Sequence, residues 1–303
     1  MSLRKSNMSP DQRPDLAAMP DPMPVGFIGE KIFPTLPRFG RTGTLFYQAY
    51  AAYLSATTNR ASGGTVSRTA VTASRTTYST GEVLMPLAVD EQEIVEMGGD
   101  DKAEKILALR GIRGVAKKLE ILRLAAIATV GYTDISSTDL ITFNGINNAV
   151  SAILPKIMGH TGTLALLGGS SALNKLRSNT YVVDRMKNIG APVNADVRRI
   201  ARSAMAEMFN VQDVFEGQDG FWPSGALVLA FCPDPNEDPT VSAQAGRLVK
   251  YQFDGQGTEV SCECGYDPAI RSAYLDFVSY AQVLTLNADF IVPLQIGASI
   301  TTG

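Results

Sequence analysis

The chain is short of the side chains that most enzymatic chemistry needs. Its 303 residues include one histidine, His160, one tryptophan, and three cysteines, Cys232, Cys262 and Cys264. Three cysteines this few and clustered exclude a disulfide framework. Cys262 and Cys264 lie two apart in EVSCECG, which on a strand points both thiols to one face. Half of a metal site is one reading; with a single histidine and no second cysteine pair, small buried apolar residues is the favoured one. His160 lies in GHTGTLALLGG, where the flanking glycines predict a turn and an exposed or capping imidazole. G-x-S-x-G, H-E-x-x-H, the P-loop and G-x-G-x-x-G are all missing, which leaves no nucleophile elbow, zinc protease or nucleotide fingerprint. Gly168-Gly169-Ser170-Ser171 has the letters of an anion site, but equally those of an ordinary helix start.

Long apolar runs are missing too. No stretch of about 18 such residues exists to span a bilayer, and MSLRKSNMSPDQRPDL lacks the apolar segment of a signal peptide. A soluble protein made in the cytoplasm is the expectation. The balance of 27 basic and 30 acidic residues argues against bulk nucleic-acid binding, and 45% hydrophobic content supports a real core. No repeat with a period of 20 to 50 residues is present.

One sign of charge is missing from each of two neighbouring stretches. Residues 31–81 carry six bases (Lys31, Arg38, Arg41, Arg60, Arg68 and Arg75) and no acid. Residues 82–104 then carry eight acids (Glu82, Asp90, Glu91, Glu93, Glu96, Asp100, Asp101 and Glu104) against Lys102 alone. With no catalytic signature beside it, this split suggests a protein in which one copy holds the next.

Residues 1–37 are dense in proline, which predicts an extended arm, with a disordered tail over residues 1–20. Residues 44–56 and 65–78 are rich in Thr, Tyr, Val and Phe around Ser62-Gly63-Gly64 and predict a long β-hairpin. Arms of this length would reach about 40 Å, and an isolated hairpin is at best marginally stable, so outside support is expected. Residues 100–130 predict one helix of about 45 Å, its apolar positions at Ile106, Leu109, Ile112, Val115, Leu119, Leu122, Ala126 and Val130. Gly111 and Gly114, in its middle, mark close packing or a bend. Beyond it, helices are predicted at 146–154, 171–177 and 194–209, the last opened by Asn194 with Arg198, Arg199 and Arg202 on one face. Strands are predicted at 163–167, 211–216, 226–232, 247–253 and 259–264, with strands returning over 273–300. The class is α+β.

This order of parts resembles the tailed-bacteriophage major capsid proteins of the Hong Kong 97-type fold. The resemblance is carried by FIGEKIFPTLPRFGRTGTLFYQAY, SRTTYSTGEVLMPLAVDEQE and RGVAKKLEILRLAAIAT, then by LLGGSSALNKLRSN, VVDRMKN, ADVRRIARSAMAEMFNVQDVFEG, GALVLAFCPD and LTLNADFIVPLQIGA. Each motif is loose; their succession over most of residues 25–297 makes the match specific. The resemblance implies an N-terminal arm (1–39), an extended loop (40–86), a peripheral domain with a spine helix (87–139), an axial domain (140–245) and return strands (246–303). It implies a structural shell protein, not an enzyme and without cofactor or metal, forming hexamers and pentamers around double-stranded DNA. Its partners would be its own copies, a portal protein, and scaffolding or decoration proteins; its place would be the virion, assembled in the bacterial cytoplasm. Arg60, Arg68 and Arg75 would pair with Glu91, Glu93, Glu96, Asp100 or Asp101 of adjacent copies. Arg113, Lys117, Lys118 and Arg123 form a spine-helix side that either meets packaged DNA or is merely solvated. Two family features are missing. Residues 42–101 hold no lysine for a loop crosslink, and only about 25 residues precede Val25, so scaffolding is expected from another protein or not at all. The rival readings are an encapsulin-type shell, an α+β enzyme using His160 or Cys262/Cys264, and a decoration or adaptor protein.

Overall fold

The computed structural model describes residues 11–12, 14–17, 27–49, 74–188, 202–218, 221–253, 259–267 and 272–297; the side chains of 11, 12, 14, 91 and 267 are outside that description. Two sheets and one long helix organise it. The first sheet is built on β12 (Ser272–Thr285), which pairs antiparallel with β5 (Gly81–Asp90) through ten positions from Asp90↔Ser272 to Gly81↔Ala281. Its other edge carries β11 (Ser261–Asp267) and then β10 (Gly246–Tyr251), both antiparallel. From the arm come β2 (Thr35–Arg38), parallel to β10, and β1 (Asp11–Gln12), antiparallel to β11. Strict alternation in β12 buries Ala273, Leu275, Phe277, Ser279 and Ala281 and leaves the other face half-covered, as befits an antiparallel sheet with one packed side.

Local signals set the long helix in place. Asp90 and Glu93 form a reciprocal capping box on the short helix Glu91–Glu96: the Glu93 N–H donates to Asp90 Oδ1 at 2.7 Å, the Asp90 N–H to Glu93 Oε2 at 3.4 Å. Gly98 and Gly99, both at positive φ, turn the chain into the helix Asp100–Val130, and Gly131 at φ 92° ends it. The limits agree with the sequence; the buried face does not. Of the eight predicted apolar positions only Val115 and Leu119 are buried, while Ile106 and Leu122 are exposed. The buried row is Ala103, Leu107, Gly111, Val115, Leu119, Arg123 and Ile127, every fourth residue. Steps of four advance the row by about 40° each on a helix of 3.6 residues per turn, so it winds some 240° around the axis. The first half of the helix therefore packs on the first sheet, beside Val83, Val89, Leu275 and Phe277, while Leu124 and Ile127 belong to a second core.

That second core surrounds the sheet β6–β13–β9–β7–β8: β6 (Thr133–Asp134), β7 (Gly162–Gly169), β8 (Asp213–Gly217), β9 (Ala226–Pro233) and β13 (Ile291–Gln295). In β9 all eight residues are buried and β7 is nearly so, the continuous apolar runs of strands covered on both faces. Helices Asp139–Ile157, Ser170–Ser178, Thr180–Asn188 and Arg202–Phe209 cover this sheet. Ser170–Ser178 and strands β7 to β11 fall within a few residues of the expected limits, but Asp139–Ile157 begins seven residues before the expected start, Thr180–Asn188 is a helix that the sequence reading did not expect, and residues 189–201, with Asn194, Arg198 and Arg199, lie outside the described residues.

The arm departs from expectation in two places. Pro14–Ala17 and Gly29–Ile32 are short helices, and Leu16, Ile28, Ile32 and Phe33 are buried, so part of the expected disordered tail is docked. Proline at a first helical position meets no penalty, since its missing N–H would be unbonded there in any case. The predicted hairpin is described at its base only, where β3 (Thr42–Tyr47) pairs with β4 (Ser74–Ser79) from Thr42↔Ser79 to Tyr47↔Ser74. Arg60, Arg68 and the Ser62-Gly63-Gly64 turn lie outside the described residues.

Candidate functional site

The surfaces that could hold another copy begin at the hairpin. Leu45 and Tyr78 turn inward onto Val249, Leu284 and Leu286, so the hairpin foot has its own small core on the body. One further bond fastens it, the Ser79 N–H donating to Gln282 Oε1 at 2.7 Å, while the Thr80 N–H donates to the Arg41 carbonyl at 2.8 Å and closes the hairpin at its base. The Arg41 guanidinium lies 3.6 Å over the Tyr280 ring. On the opposite face Phe46, 52% exposed, stands directly across from exposed Arg75. An apolar ring beside a cation thus points outward on a hairpin whose inward side is already satisfied. The support that the sequence demanded is, at the foot, the chain's own body.

Acidic residues follow the far end of β5, the strand that continues from the hairpin. Glu93, Glu96 and Asp101 are exposed and Asp100 half-buried, around Val95, which is 64% exposed. Glu93 caps its helix and Glu96 accepts from Gln92 Nε2 at 3.4 Å. Glu91 opens the same helix.

The expected basic side of the long helix does not hold together. Lys117 and Lys118 are exposed, with Lys117 Nζ 5.1 Å from the Phe221 ring centroid and Lys118 donating to the Leu84 carbonyl. Arg113 is half-buried. Arg123 is withdrawn from that surface altogether, because it lies beneath the arm at 4% exposure. Its Nε donates to the Phe33 carbonyl and its Nη2 to Thr35 Oγ1, both at 3.3 Å, and its Nη1 pairs with Glu120 at 3.5 Å.

Glu120, fully buried, is a group that sequence reasoning missed. Its Oε1 accepts the Gly29 N–H at 2.7 Å and the Trp222 Nε1–H at 3.1 Å, so one carboxylate joins the arm, the long helix and the loop before β9. Burial lowers the Arg123 pKa, against which the Glu120 charge acts to raise it. A Cβ on Gly29 would stand 2.9 Å from the carboxylate, so this close approach requires glycine. The sequence showed only an acid and a base three apart on a helix, the commonest surface pattern there is.

A second charge cluster fastens the far helices. Glu216 Oε2 accepts from Arg177 at 2.9 Å and from Arg202 at 3.2 Å, tying β8 to the helices Ser170–Ser178 and Arg202–Phe209. The Arg177 hydrogen bond holds the Glu216 carboxyl below its ordinary range. A carboxyl lowered in the folded state stabilises fully above its unfolded value of about 4.3, and this contribution is lost as pH falls through the folded value. Arg177→Gln should therefore lower the urea midpoint at pH 7 and narrow its difference from the midpoint near pH 3. Equal pH dependence in the variant and the parent would refute the assignment.

The sequence's chemical candidates are kept apart. His160 follows the helix Asp139–Ile157, its N–H donating to the Ile157 carbonyl at 3.1 Å and its ring 5.9 Å from Phe290, and burial lowers its pKa. Cys262 and Cys264 lie on β11 of the other sheet, the first fully buried against the long-helix core. Burial pushes the Cys232 thiol up to about 12. Among the described residues no His, Cys, Asp and Glu group could hold a metal, and no helix is long and apolar enough to cross a membrane.

No protein-family model and no curated protein matches the chain. Solved structures do. A phage-related protein from Bordetella bronchiseptica RB50 aligns over 98% of this chain and 100% of its own with a TM-score of 0.61 at 15% identity. The subunit of the bacteriophage PhiM1 mature capsid aligns over 93% and 90% with a TM-score of 0.57 at 11% identity. The SrpI encapsulin of Synechococcus elongatus PCC 7942 aligns over 94% of both chains with a TM-score of 0.51 at 11% identity. The whole described architecture, arm, hairpin, long helix and both sheets, is thus the α+β fold of phage capsid proteins.

Proposed function

We propose that the chain is a major capsid protein, a structural subunit that assembles with its own copies into the hexamers and pentamers of an icosahedral shell around double-stranded DNA. The observation that carries the reading is the hairpin: it is fastened to the body at its foot and presents Phe46 and Arg75 outward, within a fold shared over nearly the full length with capsid subunits. On this reading the chain divides into arm (1–39), extended loop (40–86), peripheral domain (87–139), axial domain (140–245) and return strands (246–303). The basic loop residues Arg60, Arg68 and Arg75 meet the acidic face of a neighbour formed by Glu91, Glu93, Glu96, Asp100 and Asp101. Charge pairs at such a rim set register and encounter rate more than affinity. Packaged DNA meets Lys117 and Lys118, without base readout. A portal protein is its further partner, with scaffolding either supplied by another protein or not needed, in a virion assembled in the bacterial cytoplasm.

Electron microscopy and sedimentation of the protein expressed alone test this. Closed shells or capsomers are expected from the parent chain, and few or none from the triple variant Arg60→Glu, Arg68→Glu, Arg75→Glu. A parent that stays monomeric at high concentration would overturn the function. Normal particles from the triple variant would overturn the charge pairing alone. Shells from the native source that hold protein cargo instead of nuclease-resistant DNA would favour the encapsulin-type reading.

A further inference from the structure

Among the described residues Arg247 is the largest fully buried side chain, and its guanidinium is committed to a single loop. Nε donates to Gln244 Oε1 at 2.6 Å, Nη1 to the Pro235 carbonyl at 2.8 Å, and Nη2 to the carbonyls of Asp234, at 3.2 Å, and Glu237. All four acceptors belong to residues 234–244, which join β9 to β10. Local Asx turns stiffen the same loop: the Asn236 N–H donates to Asp234 Oδ1 at 2.9 Å and the Thr240 N–H to Asp238 Oδ1 at 2.8 Å. An arginine bonded in this way acts as a template, because its planar fork holds three backbone carbonyls and the Gln244 amide oxygen in one fixed arrangement, which the Glu237 N–H to the Asp234 carbonyl and Gln244 Nε2–H to the Glu237 carbonyl reinforce.

The loop so held receives the hairpin. The Gln48 N–H, one residue beyond β3, donates to the Pro239 carbonyl at 2.8 Å. The buried Asn287 side-chain amide donates to both the Gln48 carbonyl, at 3.3 Å, and the Gln244 carbonyl, at 2.8 Å. Both backbone groups of Gln48 are thereby fixed to one loop, the N–H directly and the carbonyl through Asn287, one residue after β3 ends. The small apolar core under Leu45 and Tyr78 gives the foot adhesion, but apolar contact is non-directional. Direction comes from the hydrogen bonds.

We infer that loop 234–244, templated by Arg247 and bridged by Asn287, is a seat that aims the hairpin, making Arg247 and Asn287 positioning residues for assembly. The inference rests on the proposed shell function and names the part of the body that sets the angle at which Phe46 and Arg75 are presented. A hairpin pivoting at its foot displaces its far end by many times the displacement at the foot. A modest loosening of the seat should therefore be felt in the geometry of the product more than in the stability of the subunit.

The test uses the full chain in three forms: parent, Asn287→Ala and Arg247→Lys. In the parent, hydrogen exchange at Gln48 should be as slow as in the β10–β12 ladder; fast exchange there would overturn the seat without any variant. In Asn287→Ala, exchange at Gln48 should rise by about tenfold or more while β5 and β12 keep their protection. Particle images should then show aberrant or heterogeneous diameters where the parent gives one. Arg247→Lys, a point charge that cannot satisfy four divergent acceptors, should do the same. Parent-like diameters and parent-like Gln48 exchange in both variants would overturn the inference while leaving the shell function standing. A parent that forms no particles would defeat the function itself.

Discussion

Glu120→Ala should lower the unfolding free energy by about 3–5 kcal/mol, the largest loss expected of any single substitution in this chain. The size follows from what is left behind. Arg123 would remain at 4% exposure with its counter-charge gone, and the Gly29 N–H and Trp222 Nε1–H would lose their acceptor in the same step. Glu120→Gln separates the two costs, since its oxygen can still accept from Gly29 and Trp222 while the charge is removed. It should fall between parent and alanine. Removing both charges at once, Glu120→Leu with Arg123→Met, should recover the part of the loss due to the unpaired charge but not the part due to Gly29 and Trp222, whose donors still lack an acceptor. Chemical denaturation read by Trp222 fluorescence would measure the three variants against the parent, Trp222 being the protein's one tryptophan and directly bonded to the group in question. If Glu120→Ala unfolds within about 1 kcal/mol of the parent, the buried node is not what fastens the arm.

The second large effect runs against helix propensity. Gly111→Ala in a helix interior ordinarily stabilises by about 1 kcal/mol, whereas here it should destabilise by some 1–3 kcal/mol. The added Cβ would stand 2.1 Å from the ring of Phe277, which projects from β12 fully buried against the helix and has nowhere to go. Gly114 offers the internal control. A Cβ there meets the flexible side chain of Met85 at 2.6 Å, and methionine yields where a phenylalanine ring does not, so Gly114→Ala should cost less or nothing. Thermal unfolding of the two variants side by side is the measurement. Gly111→Ala melting at or above the parent would refute the close approach of helix and sheet. Combining it with Phe277→Leu should return part of the lost stability.

What the sequence disclosed and what it hid divide along a physical line. The limits of the long helix were legible because Gly98, Gly99 and Gly131 mark them chemically. The strands β7 and β9 were legible because a strand buried on both faces is a continuous apolar run. The phase of the long helix was not, because its buried row contains Ala103, Gly111 and Arg123, whose burial comes from fit and pairing, not from hydrophobicity. Hydropathy favoured Ile106 and Leu122, which stand outside the buried row at 37% exposure each. The assembly candidates were partly legible. Arg75 and the acidic run were visible as charge of one sign, while Arg247, Asn287 and Glu120 are single polar letters whose partners lie from three to more than two hundred residues away. Arg123 was read as surface charge for the same reason that it proved buried: a one-dimensional pattern does not record what lies on top.

The ten-position ladder between β5 and β12 has a mechanical consequence. The hairpin's second strand ends at Ser79, and after Thr80 the chain runs straight into β5 at Gly81. A pull on the hairpin along the chain is therefore delivered parallel to the ladder and across its hydrogen bonds, which lie perpendicular to the strands. Loaded in shear, those bonds yield together or not at all, unlike a zipper opened from one end. Whatever strains the hairpin meets from outside, the subunit is built to transmit them into the long helix through a joint that does not peel.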